Sequence, residues 1–124
     1  FDQIVIAIGL NAEKNHMFSV EKRKAWIEAV FEHDPCVVVK TYEGLTVDFC
    51  NQIGARYILR GLRTSADFEF ERGIGQINRK LAGVDTVFLL TEPEFTPISS
   101  SIVRDVYRHG GDISSMVPKQ VKLF

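Results

Sequence analysis

Short apolar runs alternate along the chain with stretches in which apolar residues are spaced as in a helix. The runs at residues 4–10, 36–39, 57–59 and 86–90 are rich in Val, Ile and Leu. Such runs predict short strands that are buried on both faces. Between and after them, apolar residues recur every three or four positions, which predicts helices over residues 19–33, 45–53 and 70–81 and another from about residue 99.

Local signals at the ends of these segments support the same elements. Ser19 suits the N-cap of the first helix, whereas Gly54, Gly83 and the pair Gly110 and Gly111 suit helix ends. Pro118 fits the first turn of a last short helix. The order β-α-β-α-β-α-β-α-α predicts an α/β fold with a doubly wound parallel sheet and helices on both faces. No linker or repeat interrupts residues 1–124, so we expect a single domain.

The third predicted helix contains two glycines. Gly73 and Gly75 lie inside the third predicted helix, where each costs roughly 1 kcal/mol relative to Ala. We therefore expect this helix to pack closely against a neighbour at both positions.

Cys36 and Cys50 form no Cys-x-x-Cys motif, and two buried, reduced thiols fit this pattern better than a disulfide does. The three histidines are scattered, so we expect no metal site.

Composition and charge narrow the classes of function. The chain has 124 residues with 15 Lys and Arg against 16 Asp and Glu, and 45% of its residues are hydrophobic. Near-neutrality provides no general attraction to nucleic acid or to an anionic membrane surface. No apolar run approaches the roughly 20 residues that a membrane-spanning helix needs. The chain begins at Phe1, directly before a predicted core strand, so we expect it to be truncated at its N-terminus.

Candidate chemistry concentrates where the predicted strands end. Ligands of open parallel sheets bind beyond the carboxyl ends of the strands, and residues 11–16, 41–46, 60–63 and 91–101 follow those ends. Arg60 and Arg63 offer guanidinium groups that match phosphate geometry, and the intervening Gly61 allows backbone to approach a ligand. Ion pairs with Asp67, Glu69 or Glu71 are the alternative role for these arginines.

Two other segments add donors for an anion. Ser99, Ser100 and Ser101 stand where a helix begins, and free backbone amides at such a start favour phosphate. Lys14 follows the first strand, in the same loop as His16, although lysines and histidines in loops are commonly only solvated. No Gly-rich Walker loop and no Gly-x-Gly-x-x-Gly motif follows a strand. Together these features predict a ligand with several phosphates.

The chain resembles the bacterial phosphopantetheine adenylyltransferases of the nucleotidyltransferase superfamily. The resemblance rests on Met-Phe-Ser-Val-Glu-Lys-Arg at residues 17–23, Arg-Gly-Leu-Arg at 60–63, Asp-Phe-Glu-Phe-Glu at 67–71, Asn-Arg at 78–79 and Ile-Ser-Ser-Ser-Ile-Val-Arg at 98–104. It implies a Rossmann-like fold and transfer of the adenylyl group of ATP to 4'-phosphopantetheine. The products would be dephospho-CoA, a precursor of coenzyme A (CoA), and pyrophosphate.

The resemblance also implies roles for individual residues. Lys14 and Arg60 would hold the phosphate of phosphopantetheine, and the backbone near Thr46 would line its pantetheine arm. The residues that would contact ATP are Gly61, Leu62, Arg63, Glu71, Phe95, Thr96, Pro97, Ile98, Ser99, Ser100 and Ser101. Mg²⁺ would arrive with ATP, with no metal ligands from the protein.

The chain departs from the family pattern in two places. The first strand and the Thr-Phe-Asp-Pro and Gly-His motifs of the family precede Phe1, a unit of roughly 20–30 residues. The family's catalytic histidine is therefore not in this sequence, and we expect negligible turnover from these 124 residues alone. Phe95, Thr96 and Pro97 stand where the family often has a tryptophan.

Family resemblance further implies a cytoplasmic homo-oligomer, a hexamer, that binds neither nucleic acid nor a membrane. Two alternatives stay open at this point. One is a nucleotidyltransferase that acts on another small phosphate ester. The other is a non-catalytic module that binds a nucleotide or CoA.

Overall fold

The computed structural model describes residues 1–11 and 15–123, in which strands and helices alternate. The strands are β1 (Ile4–Gly9), β2 (Val37–Tyr42), β3 (Tyr57–Leu62) and β4 (Asp85–Leu90). The helices are α1 (Val20–Val30), α2 (Thr46–Ile53), α3 (Ser65–Ala82) and α4 (Ser100–Arg108), with a 3₁₀ turn at Pro93–Phe95. Contacts divide the chain into two compact units, Phe1–Gly44 with Val106–Phe124 and Leu45–Asp105.

The first unit is built on a parallel pair of strands. β1 and β2 pair in register from Ile4 opposite Val37 to Gly9 opposite Tyr42. Their β-branched side chains suit such a pair because they pack well on a pleated surface. Helix α1 begins as expected, with the Ser19 hydroxyl accepting a hydrogen bond from the Lys22 amide at 3.2 Å.

Aromatic side chains pack next to α1 in this unit. The Phe18 ring meets Trp26 edge-on with 5.0 Å between centroids, and its centroid lies 5.9 Å from that of Tyr107. The Lys22 ammonium lies 5.7 Å from the Phe18 and Trp26 ring centroids. These contacts join α1 to the last turns of α4.

The second unit pairs β3 with β4, also in parallel, from Tyr57 opposite Asp85 to Leu62 opposite Leu90. Its core cluster consists of Val47 and Cys50 from α2 together with Val84, all at most 5% exposed. Gly54 and Gly83 end α2 and α3 with φ values of 72° and 68°. This left-handed conformation favours glycine and explains why these two helices stop there.

Helix α3 confirms one of the two expected close approaches. A methyl group on Gly75 would lie 3.1 Å from Oγ1 and 3.3 Å from Cβ of Thr86 on β4, so the helix packs tightly there. The expectation for Gly73 was wrong, because an added methyl group would meet nothing within 4 Å. Gly73 lies two positions from Gly75 and therefore faces away from the strand.

The α/β fold with parallel strands and helices between them is confirmed. Several local expectations were wrong. Helix α1 ends earlier than predicted, α3 begins earlier, and β2 continues through Tyr42. β3 continues through Leu62 instead of ending at residue 59, because β4 pairs with its whole length. The segment after Pro118 forms a single turn, closed by the Val121 amide donating to the Pro118 carbonyl at 2.9 Å, and not a helix. Cys50 is buried as expected, whereas Cys36 is exposed, and both thiols are free.

Within the described residues, no helix is long and apolar enough to cross a membrane.

Candidate functional site

The segments that follow β3 and β4 start at one edge of their sheet. Leu62 and Leu90, the last residues of the two strands, lie opposite one another. The Thr91 amide then donates to the Leu62 carbonyl at 2.9 Å. The segments that begin at residues 63 and 91 therefore leave this sheet side by side, whereas residues 60–62, predicted to follow the strand, lie within β3.

Arg60 lies within β3, two residues before its end, and not in a loop after the strand as the sequence predicted. Its Nε and Nη2 atoms donate to the two carboxylate oxygens of Glu71, at 3.1 and 2.5 Å. The side chain of Glu71 is 14% exposed and that of Arg60 is 52% exposed. The ion pair that was the alternative role for Arg60 is thus present, and it leaves the guanidinium partly open to solvent.

Arg63 connects the end of β3 to two neighbouring segments. Its Nε lies 3.5 Å from Oδ2 of Asp67, and its Nη1 donates to the Ile98 carbonyl at 3.5 Å. The Arg63 backbone amide also donates to Asp67 Oδ2 at 3.2 Å, while the Asp67 amide donates to the Thr64 hydroxyl at 3.1 Å. Thr64 therefore caps the start of α3, and the Asp67 carboxylate holds Arg63 near Ile98.

The three serines at the start of α4 have different partners. The Ser99 hydroxyl accepts a hydrogen bond from the Ile102 amide at 3.2 Å and caps the helix. The Ser101 hydroxyl accepts from the Arg104 guanidinium at 3.4 Å. Ser100 and Ser101 are exposed. This helix start presents hydroxyl groups and backbone amides, and both groups suit a phosphate.

The other candidate ATP contacts differ in exposure. Leu62 is 8% exposed, so its side chain belongs to the core and only its backbone faces the sheet edge. A methyl group on Gly61 would meet nothing within 4 Å, which leaves the backbone there open to close approach. Phe95, on the 3₁₀ turn, is 48% exposed. Thr96 and Ile98 are half-buried, and Pro97 is exposed.

The expected phosphopantetheine contacts are placed only in part. Lys14 lies outside the described residues. Thr46 is the first residue of α2 and is exposed, and its preceding N-cap residue Leu45 makes no side-chain capping bond.

A pocket lies at the carboxyl ends of β1 and β2 in the first unit. It measures about 440 Å³, and the described residues that line it are Gly9, Leu10, Asn11, His16, Tyr42 and Gly44. A methyl group on Gly9 would lie 3.2 Å from the Tyr42 hydroxyl oxygen, so the glycine makes room for this side chain. Tyr42 has no motif that marks it in the sequence. It lies in residues 41–46, the segment predicted to follow the second strand, and the structure makes it the last residue of β2.

The surroundings of Cys50 and Asp112 shift their pKa values. Burial raises the pKa of the Cys50 thiol. The Ser114 amide, which donates to Asp112 Oδ1 at 2.9 Å, holds the pKa of that carboxyl below its usual range. No three His, Cys, Asp or Glu side chains of residues 1–11 and 15–123 are grouped so that they could hold a metal ion.

The chemistry available at the β3–β4 edge is the binding of anions. Two arginines in fixed positions and the start of a helix can neutralise and orient a polyphosphate. Reactions at phosphorus depend largely on such positioning and on charge stabilisation.

Comparison with known proteins places the chain in a family. Residues 1–106 match the cytidylyltransferase-like family model. Over 123 residues the chain is 56% identical to the phosphopantetheine adenylyltransferase of Flavobacterium psychrophilum, covering 99% of this chain and 82% of that protein. It is 58% identical over 123 residues to the protein of the same name from Flavobacterium johnsoniae, covering 99% and 81%.

A more distant relative gives the same result. The phosphopantetheine adenylyltransferase of Bacteroides fragilis is 46% identical over 122 residues, or 98% of this chain and 81% of that protein. The family model, the long alignments and the motifs at the β3–β4 edge agree. The chain therefore belongs to the phosphopantetheine adenylyltransferases, within the cytidylyltransferase-like family.

Proposed function

We propose that the protein transfers the adenylyl group of ATP to 4'-phosphopantetheine in the biosynthesis of CoA. The observation that carries this proposal is the meeting of Arg63 with the segment that leads into α4, where Nη1 donates to the Ile98 carbonyl. This contact joins two of the motifs on which the family resemblance rests. The names of those relatives supply the two substrates.

In the proposed reaction, a phosphate oxygen of phosphopantetheine attacks the α-phosphorus of ATP. The bond from the α-phosphorus to the oxygen that bridges to the β-phosphorus breaks. Pyrophosphate leaves with that electron pair, and dephospho-CoA is the product. No covalent intermediate with the protein is needed.

The candidate residues divide between the two substrates. Arg60 and Lys14 bind the phosphate of the acceptor, and the backbone at Thr46 lines the pantetheine arm. Arg63 and the start of α4 bind the triphosphate, which enters as its Mg²⁺ complex. Residues 95–98 pack beside the adenine. The half exposure of Arg60 and the exposed hydroxyls of Ser100 and Ser101 support these assignments.

We further propose a cytoplasmic enzyme that works as a homo-oligomer, a hexamer by family resemblance. We propose neither a nucleic acid nor a membrane as a partner of this protein.

The test is release of pyrophosphate by the complete protein supplied with ATP, Mg²⁺ and phosphopantetheine. We expect pyrophosphate and dephospho-CoA in equal amounts. Glycerol phosphate and nicotinamide mononucleotide serve as competing acceptors. Turnover with one of these alone would assign another nucleotidyltransferase activity. Binding of ATP and CoA without turnover would identify a non-catalytic module.

A further inference from the structure

We infer that Tyr107 is a positioning residue for ATP. Its ring packs against Phe18 and so holds α4, whose start at Ser100 is part of the proposed triphosphate site. The inference rests on the proposed function and extends it to residues that have no part in the proposed reaction. Phe18 belongs to the motif at residues 17–23, and Tyr107 lies in the last turn of α4.

The first support is the position of Tyr107 on its helix. Tyr107 follows Ser100 by seven residues, which is close to two turns of an α-helix, or about 10 Å along its axis. The two residues lie on nearly the same face, because seven residues differ from two full turns by only about 20°. Backbone hydrogen bonds make a helix this short move as one body, so a contact at its last turn also limits the movement of its start.

The second support is that Phe18 is itself held in place. The Trp26 ring meets Phe18 edge-on with 5.0 Å between centroids, and the Lys22 ammonium lies 5.7 Å from the Phe18 centroid. The next residue, Ser19, caps α1 by accepting a hydrogen bond from the Lys22 amide. Phe18 thus offers a fixed ring. The Tyr107 centroid lies 5.9 Å from the Phe18 centroid, within the range of attractive aromatic pairs.

The third support is the contrast between the two ends of α4. At its end, the Gly110 amide donates to the Tyr107 carbonyl at 3.0 Å. The Gly111 amide donates to the Val106 carbonyl at 2.9 Å, and a methyl group on Gly111 would lie 2.6 Å from Cγ1 of Val106. At its start, Ser100 is exposed. The packed end therefore holds the helix, and the exposed start is available to a ligand.

The main experiment compares Tyr107→Leu with Tyr107→Phe in the complete enzyme. Leucine removes the ring, whereas phenylalanine keeps the ring and loses only the hydroxyl group. Without the contact with Phe18, α4 spends less time in the position that binds ATP, and the apparent affinity falls by the same fraction. We expect Tyr107→Leu to raise the KM for ATP about threefold to tenfold, the scale of one aromatic pair. Tyr107→Phe should change it by less than about twofold.

The other kinetic constants separate positioning from a general loss of structure. In Tyr107→Leu, kcat and the KM for phosphopantetheine should change by less than about twofold, because only binding of the nucleotide is weakened. An unchanged KM for ATP would overturn the inference. A fall in kcat or an equal rise in both KM values would overturn it as well, since either result indicates a general structural effect.

A double-mutant cycle tests whether Tyr107 acts through Phe18. Phe18→Leu alone should raise the KM for ATP to a similar extent, and adding it to Tyr107→Leu should change that KM by less than about twofold. Multiplied effects in the double variant would contradict the inference. Phe31→Leu, which removes a 38% exposed ring at the end of α1, is the control and should leave the KM for ATP unchanged. Should a leucine variant fail to fold, methionine at the same position removes the ring with a more adaptable side chain.

Direct titration with ATP measures its dissociation constant without turnover. This measurement separates the inference from the proposed function, which fails if the unmodified enzyme releases no pyrophosphate. Weaker binding of ATP by Tyr107→Leu than by Tyr107→Phe would support the positioning role in either case. Equal dissociation constants for the two variants would overturn it, even where pyrophosphate release confirms the proposed function.

Discussion

At the scale of single residues, the ion pair of Arg63 with Asp67 adds little to stability. Pairs with partners as exposed as Arg63, at 39%, and Asp67, at 32%, typically contribute between 0 and about 1 kcal/mol. Such pairs matter instead because they hold a charged group in a fixed position. This distinction separates the effect of a substitution on binding from its effect on folding.

Arg63→Ala tests that separation. We expect the KM for ATP to rise by roughly tenfold, because a charged donor to the triphosphate is lost. The thermal midpoint should hardly change, since the Arg63 backbone amide still donates to Asp67 and the Thr64 cap of α3 stays in place. Steady-state kinetics and thermal unfolding of the complete enzyme measure the two effects. Arg72→Ala, which removes an exposed arginine of α3, is the control. Unchanged kinetics for Arg63→Ala would remove Arg63 from the site.

The two cysteines give a second prediction at this scale. Burial raises the pKa of Cys50, which keeps it protonated at neutral pH, whereas Cys36 is exposed. Because the thiolate is the reactive form, a maleimide should label Cys36 in the native protein and leave Cys50 unmodified. Mass spectrometry of the peptides shows which thiol has reacted. Labelling in denaturant is the control, and both cysteines should then react. Equal rates in the native protein would contradict the burial of Cys50.

At the scale of elements, α3 shows what periodicity can and cannot predict. The apolar residues Phe70, Ile74, Ile77 and Leu81 predicted the helix correctly, yet they are 43–71% exposed. The face toward the strands includes Glu71, Gly75 and Ala82, one residue further along. Spacing alone predicts a helix, but the contacts of a helix decide which face is covered.

Gly73 and Gly75 give a matched test of that packing. Gly73→Ala should raise the free energy of unfolding by about 0.5–1 kcal/mol, because alanine favours the helix and has open space there. Gly75→Ala should gain less or be destabilising, since its methyl group would crowd Thr86. Denaturant unfolding measures both variants. Combining Gly75→Ala with Thr86→Ala should restore the free energy of unfolding. Equal free energies of unfolding for Gly73→Ala and Gly75→Ala would refute close packing at Gly75.

At the scale of the whole molecule, the expectation of a single domain is still to be tested. Contacts cluster in two units, and each has its own parallel pair of strands. A single domain unfolds in one cooperative transition, whereas two independently stable units unfold in two.

Val47 and Trp26 allow this test. Val47, 4% exposed, is in the core of the second unit, and Trp26, the single tryptophan of the sequence, is in the first. Val47→Ala should lower the free energy of unfolding by about 2 kcal/mol. In a single domain, Trp26 fluorescence and circular dichroism should shift together to lower denaturant. A Trp26 transition that stays in place would show that the units unfold separately. Glu28→Ala, at an exposed position of α1, serves as the neutral control.

Local information was enough for the order and type of the elements, for most helix caps and for the motif that shows the family. Strand runs, helical spacing and glycine at helix ends act over a few residues, so they can be read directly along the chain. The pairing of Arg60 with Glu71, the burial of Cys50 but not Cys36, and the extension of β3 through Leu62 could not be read in this way. Each depends on which distant segment packs nearby. That choice among several acidic partners, or between two faces of a helix, is made by the tertiary contacts of the folded chain.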